Sequence, residues 1–276
     1  MANAPKPTPV KKESSSSAGS MFASFAIPIC IIVSILVFFF FLGDGSHYKG
    51  GDPSAEATDV FGLVHKGGYV VPIIMSCLLM VITFSIERFV VISKASGSGS
   101  VDAFVKKVQA FLNSGNIDAA SAECDKQKGS VANVIKSGLK KYREMEAETG
   151  MDVDQKTLAI QKDIEEATSL EMPMLEQNLT IIATLVSIGT LMGLLGTVLG
   201  MIGAFRTMGA AGAPNASELS SHISEALINT ALGISTSAIS IIMYNVFTSK
   251  IDTLTYAIDE TGFSIVQTFA ASHKSK

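Results

Sequence analysis

The sequence predicts an all-α membrane protein, a polytopic helix bundle whose long helices extend into a cytoplasmic helical region. Of its 276 residues, 47% are hydrophobic and 17% are charged, and the mean hydropathy is +0.39. Soluble domains usually carry about 25% charged residues. Four apolar stretches are each long enough to cross the hydrocarbon core of a bilayer, which takes about 20 helical residues. The polar remainder shows helical periodicity and no strand pattern.

Composition also excludes several classes of function. The net charge of −4 argues against a nucleic-acid partner. The spacing of Cys30, Cys77 and Cys124 suits neither a disulfide framework nor a metal site, so we expect packing residues. The paired acids Glu165 and Glu166 are expected on a solvated face. With no Gly-rich phosphate loop and no Ser/His/Asp arrangement, we expect no enzyme, no cofactor and no metal.

The N-terminal part of the sequence predicts a disordered tail followed by a helix that anchors the chain in the membrane. Residues 1–21, rich in Pro, Lys and Ser, predict a disordered cytoplasmic tail. Residues 22–42 predict a transmembrane helix rather than a cleaved signal peptide. Their apolar core is too long for a signal peptide, and the sequence that follows is a poor cleavage site. Lysines precede this span and place the N-terminus in the cytoplasm.

The middle of the chain predicts one more span and the cytoplasmic region. Residues 43–68 form a short external segment, and residues 69–92 form the second span, with Pro72 in its first turn. Residues 93–178 are the cytoplasmic helical region, with helices expected from Val101, near Asn116 and near Asp152. Pro173 predicts a kink in the last of these helices.

Two further spans complete the predicted topology. Residues 179–205 form the third span, 206–222 an external loop, 223–247 the fourth span and 248–276 a cytoplasmic C-terminal helix. Basic residues cluster in the tail, the central region and the C-terminus, which places both termini in the cytoplasm.

Glycines mark one face of the third span. Two G-x-x-x-G pairs allow a neighbouring helix backbone to approach closely, and Gly233 lies in the fourth span. Thr190 and Thr197 fall on the same narrow arc as the paired glycines. The sequence therefore predicts a helix-packing seam at Gly189, Gly193, Gly196, Gly200 and Gly233.

Polar residues form a stripe along the fourth span. On a helical wheel they occupy an arc of about 140°, and lipid offers such groups no partners. Two interpretations stay open, hydrogen bonds between subunits or the lining of an ion pathway. The stripe consists of Glu225, Asn229, Thr230, Gly233, Thr236, Ser237, Ser240 and Tyr244.

Several motifs then resemble one known family. GLLGTVLGMI at 193–202 is followed by ISEALINTALG at 223–233 and YNVF at 244–247. In this order the motifs are similar to those of the ExbB/TolQ/MotA proton-channel family, with ExbB the most similar branch. The second span, with its proline and its terminal Glu-Arg, is similar to the first helix of that family. The resemblance covers the chain from about Phe61 to the C-terminus.

The resemblance implies a function and partners. It implies a ring of identical subunits, pentameric for ExbB, in the bacterial inner membrane. The ring would surround the single membrane helices of an ExbD-like partner. Proton-motive force would move that partner and act through a TonB-like protein on transport across the outer membrane. The external segments would then be periplasmic.

The resemblance also assigns the expected proton pathway. Matching motif positions make Thr197, Thr230 and Glu225 polar pore residues, while the protonatable Asp belongs to the partner. For Glu225, hydrogen bonding between subunits stays open as an alternative. The remaining residues expected to line the pore are Thr190, Asn229, Thr236, Ser237 and Ser240.

The chain departs from the family in two ways. Thr190 and Ile239 stand where the family often has proline, so we expect straighter helices. The span at 22–42 is extra, and because it is almost uniformly apolar we expect it at the periphery of the ring. A TolQ-like subunit, a motility or secretion stator, and a non-conducting membrane scaffold are the alternatives. The modest cytoplasmic region, with no obvious charged rotor-contacting helix, disfavours the flagellar stator.

Overall fold

The regular structure of the chain is helical. The computed structural model describes residues 15–53, 55–210 and 216–274. Within these ranges there is no strand, only an isolated antiparallel bridge between Tyr48 and Ala57, which confirms the all-α prediction. Four helical stretches are long and apolar enough to cross a membrane. Residues 1–14, most of the predicted disordered tail, lie outside the described residues.

The described part of the chain contains nine α-helices, a π-helix at Val37–Leu42 that continues α1, and three short 3-10 helices. The four predicted spans fall in α1 with the π-helix, and in the third, eighth and ninth α-helices. Their bounds are α1 Ser15–Leu36, α2 Val60–His65, α3 Val71–Ser96, α4 Val101–Asn113, α5 Ile117–Gln127, α6 Gly129–Ala147, α7 Val153–Glu176, α8 Leu179–Ala210 and α9 Ala216–Lys274.

Helix α1 corrects one expectation. It begins at Ser15, so residues 15–21 of the predicted tail are helical, since a helix nucleated by an apolar span extends at little cost into the preceding residues. The buried face of the span includes one polar residue. Ala26, Cys30 and Ser34, one turn apart, are buried. The Ser34 hydroxyl donates to the carbonyl of Pro72 on α3 at 2.6 Å, which satisfies it away from water.

Residues 43–68 fold into a small unit between α1 and α3. The Tyr48 hydroxyl is buried and lies 2.6 Å from His65 Nδ1. His47 Nδ1 lies 2.7 Å from the Asp59 carboxylate, which also caps α2 by accepting from Gly62 N. Burial lowers the pKa of His65, and burial with the nearby Asp59 charge raises the pKa of Tyr48. The segment is therefore tied together by its own polar side chains.

Helices α4, α6 and α7 pack against α9, and α5 packs against α4 and α6. Phe104, Val108 and Leu112 share the buried face of α4, as the periodicity predicts. Helix α7 begins with a capping box between Asp152 and Gln155. Helix α9 runs without a break from Ala216 to Lys274, so the fourth span and the predicted C-terminal helix are one continuous element.

The junction between α7 and α8 lies just after Pro173, where the sequence predicts a kink. Helix α7 includes this proline and ends at Glu176, and the Pro173 carbonyl accepts from Gln177 N at 3.1 Å. The two helices are separated at Gln177 and Asn178, and Asn178 has a φ of 63°. Asparagine tolerates this left-handed conformation better than most residues.

Arg88 holds this junction against α3. Its side chain is 1% exposed and forms an ion pair with the neighbouring Glu87. The guanidinium donates to the carbonyls of Met174 and Leu175 at 3.1 and 3.2 Å. Asn178 Nδ2 donates to Glu87 at 3.4 Å. The last carbonyls of a helix lack partners within it, so Arg88 and Glu87 together fix the point where α7 meets the third span.

Candidate functional site

The glycines of α8 lie against α9. A Cβ atom at Gly233 would come within 2.6 Å of the Gly189 carbonyl oxygen and 2.7 Å of Gly193 Cα. One at Gly200 would come within 2.8 Å of Ala226 Cβ, and one at Gly196 would overlap the side chain of Asn229. Backbone therefore meets backbone along this seam, and hydroxyl groups of the two helices come within hydrogen-bonding reach of each other.

Thr197 and Thr230 form the first hydroxyl pair across the seam. Their Oγ1 atoms are hydrogen-bonded to each other. Each hydroxyl also lies near main-chain carbonyls, Thr197 at 3.2 Å from Gly193 O and Thr230 at 3.1 Å from Ala226 O. Both residues are half-buried. The two helices therefore fix the position of the hydroxyls, and another molecule can still contact them from the surface of this chain.

Thr190 and Ser237 form a second pair. Their hydroxyl oxygens lie 2.8 Å apart, and Ser237 lies 2.7 Å from the Val186 carbonyl. Thr190 is exposed and Ser237 is buried. The second pair lies about two helical turns, roughly 10 Å, from the first along both helices. The two pairs thus form a discontinuous row of hydroxyls along the α8–α9 seam.

Three other polar residues of the fourth span face the interior of the same chain. Asn229, Thr236 and Ser240 are each no more than 1% exposed. Asn229 Nδ2 donates to the Gly67 carbonyl at 2.7 Å, while its Oδ1 has no hydrogen-bond partner. Thr236 and Ser240 donate to carbonyls of their own helix. The predicted stripe is therefore divided into a row at the seam and a buried row.

Glu225 lies at the end of α9 that precedes both pairs, and it is not hydrogen-bonded to either. Its carboxylate is 28% exposed and packs against Gly68. Its Oε2 atom lies 3.5 Å from His222 Nδ1. Sequence reasoning did not single out His222, although its i, i+3 spacing from Glu225 is the signal that places both side chains on one helix face. Among the described residues, no group of three or more His, Cys, Asp or Glu side chains is placed to hold a metal.

The fold and these hydroxyl pairs define a polytopic helical membrane protein with a polar helix seam. Residues 126–260 match the sequence model of the MotA/TolQ/ExbB proton channel family. This region includes α8 and most of α9, and the match confirms the family resemblance found in the sequence.

Two relatives carry names from the same family. The chain is 23% identical over 204 residues to the Tol-Pal system protein TolQ of Pseudomonas aeruginosa, covering 72% of this chain and 87% of that protein. It is 39% identical over 88 residues to the putative biopolymer transport protein ExbB-like 3 of Synechocystis sp., covering 31% of this chain and 42% of that protein. Both matches support the family, and they come from two different branches.

Proposed function

We propose that this chain is an ExbB-like energising subunit of the bacterial inner membrane. With an ExbD-like single-span partner it would convert proton-motive force into movement that a TonB-like protein delivers to outer-membrane transport. Copies of the chain would form a ring, a pentamer by the resemblance, with both termini in the cytoplasm. The observation that carries this proposal is the Thr197–Thr230 hydroxyl pair inside the region that matches the family.

The exposed surface of the spans supports assembly. Large apolar side chains of α8 and α9 are exposed on the isolated chain, among them Leu191, Leu194, Leu227 and Ile242. Some of this surface would contact lipid and some would contact neighbouring copies. The half-buried threonines lie between the exposed surface and the glycine seam, so a helix placed in the centre of a ring could reach their hydroxyls.

The proposed mechanism follows from the chemistry of hydroxyl groups. A threonine hydroxyl can donate one hydrogen bond and accept two, so it can accept a proton while releasing its own. The Thr197–Thr230 pair would pass a proton to the Asp of the partner. The Thr190–Ser237 pair, about two helical turns away along the seam, would receive that proton next. A neutral carboxyl group is far less costly to move past an apolar wall than a carboxylate. Protonation would therefore release the partner helix to move.

The two rows of polar residues have different proposed roles. Thr190, Thr197, Thr230 and Ser237 are retained as the proton pathway. Within the buried row, Asn229 holds α9 against the turn that precedes α3, and Thr236 and Ser240 are hydrogen-bonded to carbonyls of α9 itself. We therefore assign Asn229, Thr236 and Ser240 to positioning the helix rather than to lining the pore.

Thr197→Val tests the pathway. The full-length protein would be purified with the proteins that stay bound to it, placed in liposomes, and assayed for proton influx with a pH-sensitive dye. Valine keeps the shape of threonine and removes the hydroxyl. Interhelical hydrogen bonds in membranes contribute about 0.6 kcal/mol on average, so assembly should survive while influx is lost.

Thr184→Val is the matched control. Thr184 is exposed on the same helix and its hydroxyl donates to Thr180 O at 2.7 Å, within α8. This variant should conduct like the unmodified protein. Normal influx in Thr197→Val would remove the threonine from the pathway, and an unmodified protein that conducts no protons would favour the non-conducting scaffold.

A TolQ-like role is the second candidate, because the chain covers 87% of the TolQ relative. The two roles differ in what fails when the gene is deleted. Loss of energised uptake with an intact outer membrane supports the ExbB-like role. A leaky outer membrane with normal uptake supports the TolQ-like one.

A further inference from the structure

His222 and Glu225 form a titratable pair at one end of the α8–α9 seam. His222 Nδ1 lies 3.5 Å from Glu225 Oε2, and the two side chains are 35% and 28% exposed. A small side-chain rotation brings these atoms to hydrogen-bonding distance. In the predicted topology this is the external end of α9. The pair is therefore open to water on one side and in contact with the helix seam on the other.

Two glycines make room for the pair. A Cβ atom at Gly203 would lie 2.6 Å from His222 Nδ1, so the imidazole rests against the backbone of α8. A side chain at Gly68 would overlap the Glu225 carboxylate, and the φ of 75° at this residue also favours glycine. Gly203 belongs to neither G-x-x-x-G pair of α8, and contact with the imidazole explains why the residue is small.

Few other charges lie near the pair. By helical spacing they are Glu218, one turn before His222 on α9, and Arg206, one turn beyond Gly203 on α8. Lys66 precedes the Gly67–Gly68 turn that packs against Glu225. Histidine is the side chain that ordinarily changes charge near neutral pH. It can therefore bind and release protons at a pH at which an exposed carboxylate is almost always ionised.

We propose that His222 collects protons from the external solution and passes them to Glu225, an assignment that rests on the proposed function. A proton from water binds the neutral imidazole and makes an imidazolium. Its Nδ1–H then donates that proton to Glu225 Oε2, which leaves a neutral imidazole and a neutral carboxylic acid. Glu225 releases the proton towards the Thr197–Thr230 pair, about 7.5 Å further along the helix axis, a distance that water molecules span.

The test is proton influx as a function of external pH in the liposomes described above. His222→Gln should reduce influx at pH 7 by about tenfold and displace the pH profile towards acid, because Glu225 must then collect protons directly. In a Glu225→Gln background the same change should have no further effect, since residues acting in sequence are not additive. Thermal unfolding checks that each variant is folded.

His47→Gln is the matched control, because His47 also lies on the external side and pairs with a carboxylate, yet contacts neither α8 nor α9 through that pair. It should leave the profile unchanged. Unchanged influx in His222→Gln, an equal effect in His47→Gln, or additive losses with Glu225→Gln would each overturn the assignment. An unmodified protein without proton influx would refute the proposed function itself, so the two failures are distinguishable.

Discussion

Replacing Gly233 by alanine should separate helices α8 and α9. The new methyl group would lie 2.6 Å from Gly189 O, 2.7 Å from Gly193 Cα and 2.9 Å from Gly193 N. All three atoms belong to backbone, which cannot rotate away as a side chain can. Carbon atoms make favourable contact at about 3.5 to 4.0 Å, so the helices must move apart by roughly 1 Å.

The size of the effect follows from two opposing contributions. Alanine stabilises a helix by about 1 kcal/mol relative to glycine. Overpacking a tight contact costs about 1 to 3 kcal/mol, and separation also stretches the Thr197–Thr230 hydrogen bond. We expect a net loss of about 1 to 2 kcal/mol, with a loss of proton influx larger than the loss of folded protein.

Thermal unfolding in mild detergent measures the stability, and dye-monitored influx measures the function. Gly209→Ala is the matched control, because no atom lies within 4 Å of the methyl group it would add. That variant should be unchanged or stabilised by up to about 1 kcal/mol. If Gly233→Ala is as stable and as conductive as Gly209→Ala, the close backbone contact at this seam is refuted.

Two further predictions concern the α7–α8 junction and the small unit formed by residues 43–68. Arg88→Ala should destabilise the protein by about 3 to 5 kcal/mol, because it leaves Glu87 without its buried partner. Lys94 is exposed, so Lys94→Ala should change stability by at most about 0.5 kcal/mol. Thermal unfolding of the two variants measures the difference. Burial lowers the pKa of His65, so the unfolded segment binds more protons and residues 43–68 should lose stability as pH falls through about 6.5. Protection factors for Tyr48 and its neighbours, which are amide exchange rates corrected for the intrinsic effect of pH, should fall between pH 7.5 and pH 5. His65→Gln should remove that dependence, and unchanged protection factors in the unmodified protein would contradict it.

Periodicity alone was sufficient to find the helices and the glycine seam. The regular spacing of Gly189, Gly193 and Gly196 is a local property of one helix, and close packing of small residues follows from it directly. The same is true of the buried face of α4. These features depend on residues within a few turns of each other, which a sequence displays side by side.

Contacts between distant parts of the chain could not be read in this way. The polar arc of α9 contains Thr230 and Asn229 as neighbours, yet one bonds to α8 and the other to the turn before α3. A helical wheel orders residues around one axis and says nothing of which helix lies opposite each of them. The Arg88 side chain donates hydrogen bonds to carbonyls 86 and 87 residues away, and no local sequence pattern predicts that contact.

The unbroken helix α9 has a mechanical consequence. Its 59 residues correspond to a rod about 88 Å long, and it contains no proline between Ala216 and Lys274. A tilt of about 5° at one end of such a rod displaces the other end by roughly 8 Å, on the geometry of a straight helix. Movement that begins beside Thr230 would therefore displace Phe269 without any hinge between them, and the helices packed around Phe269 would resist that movement as a load resists a lever.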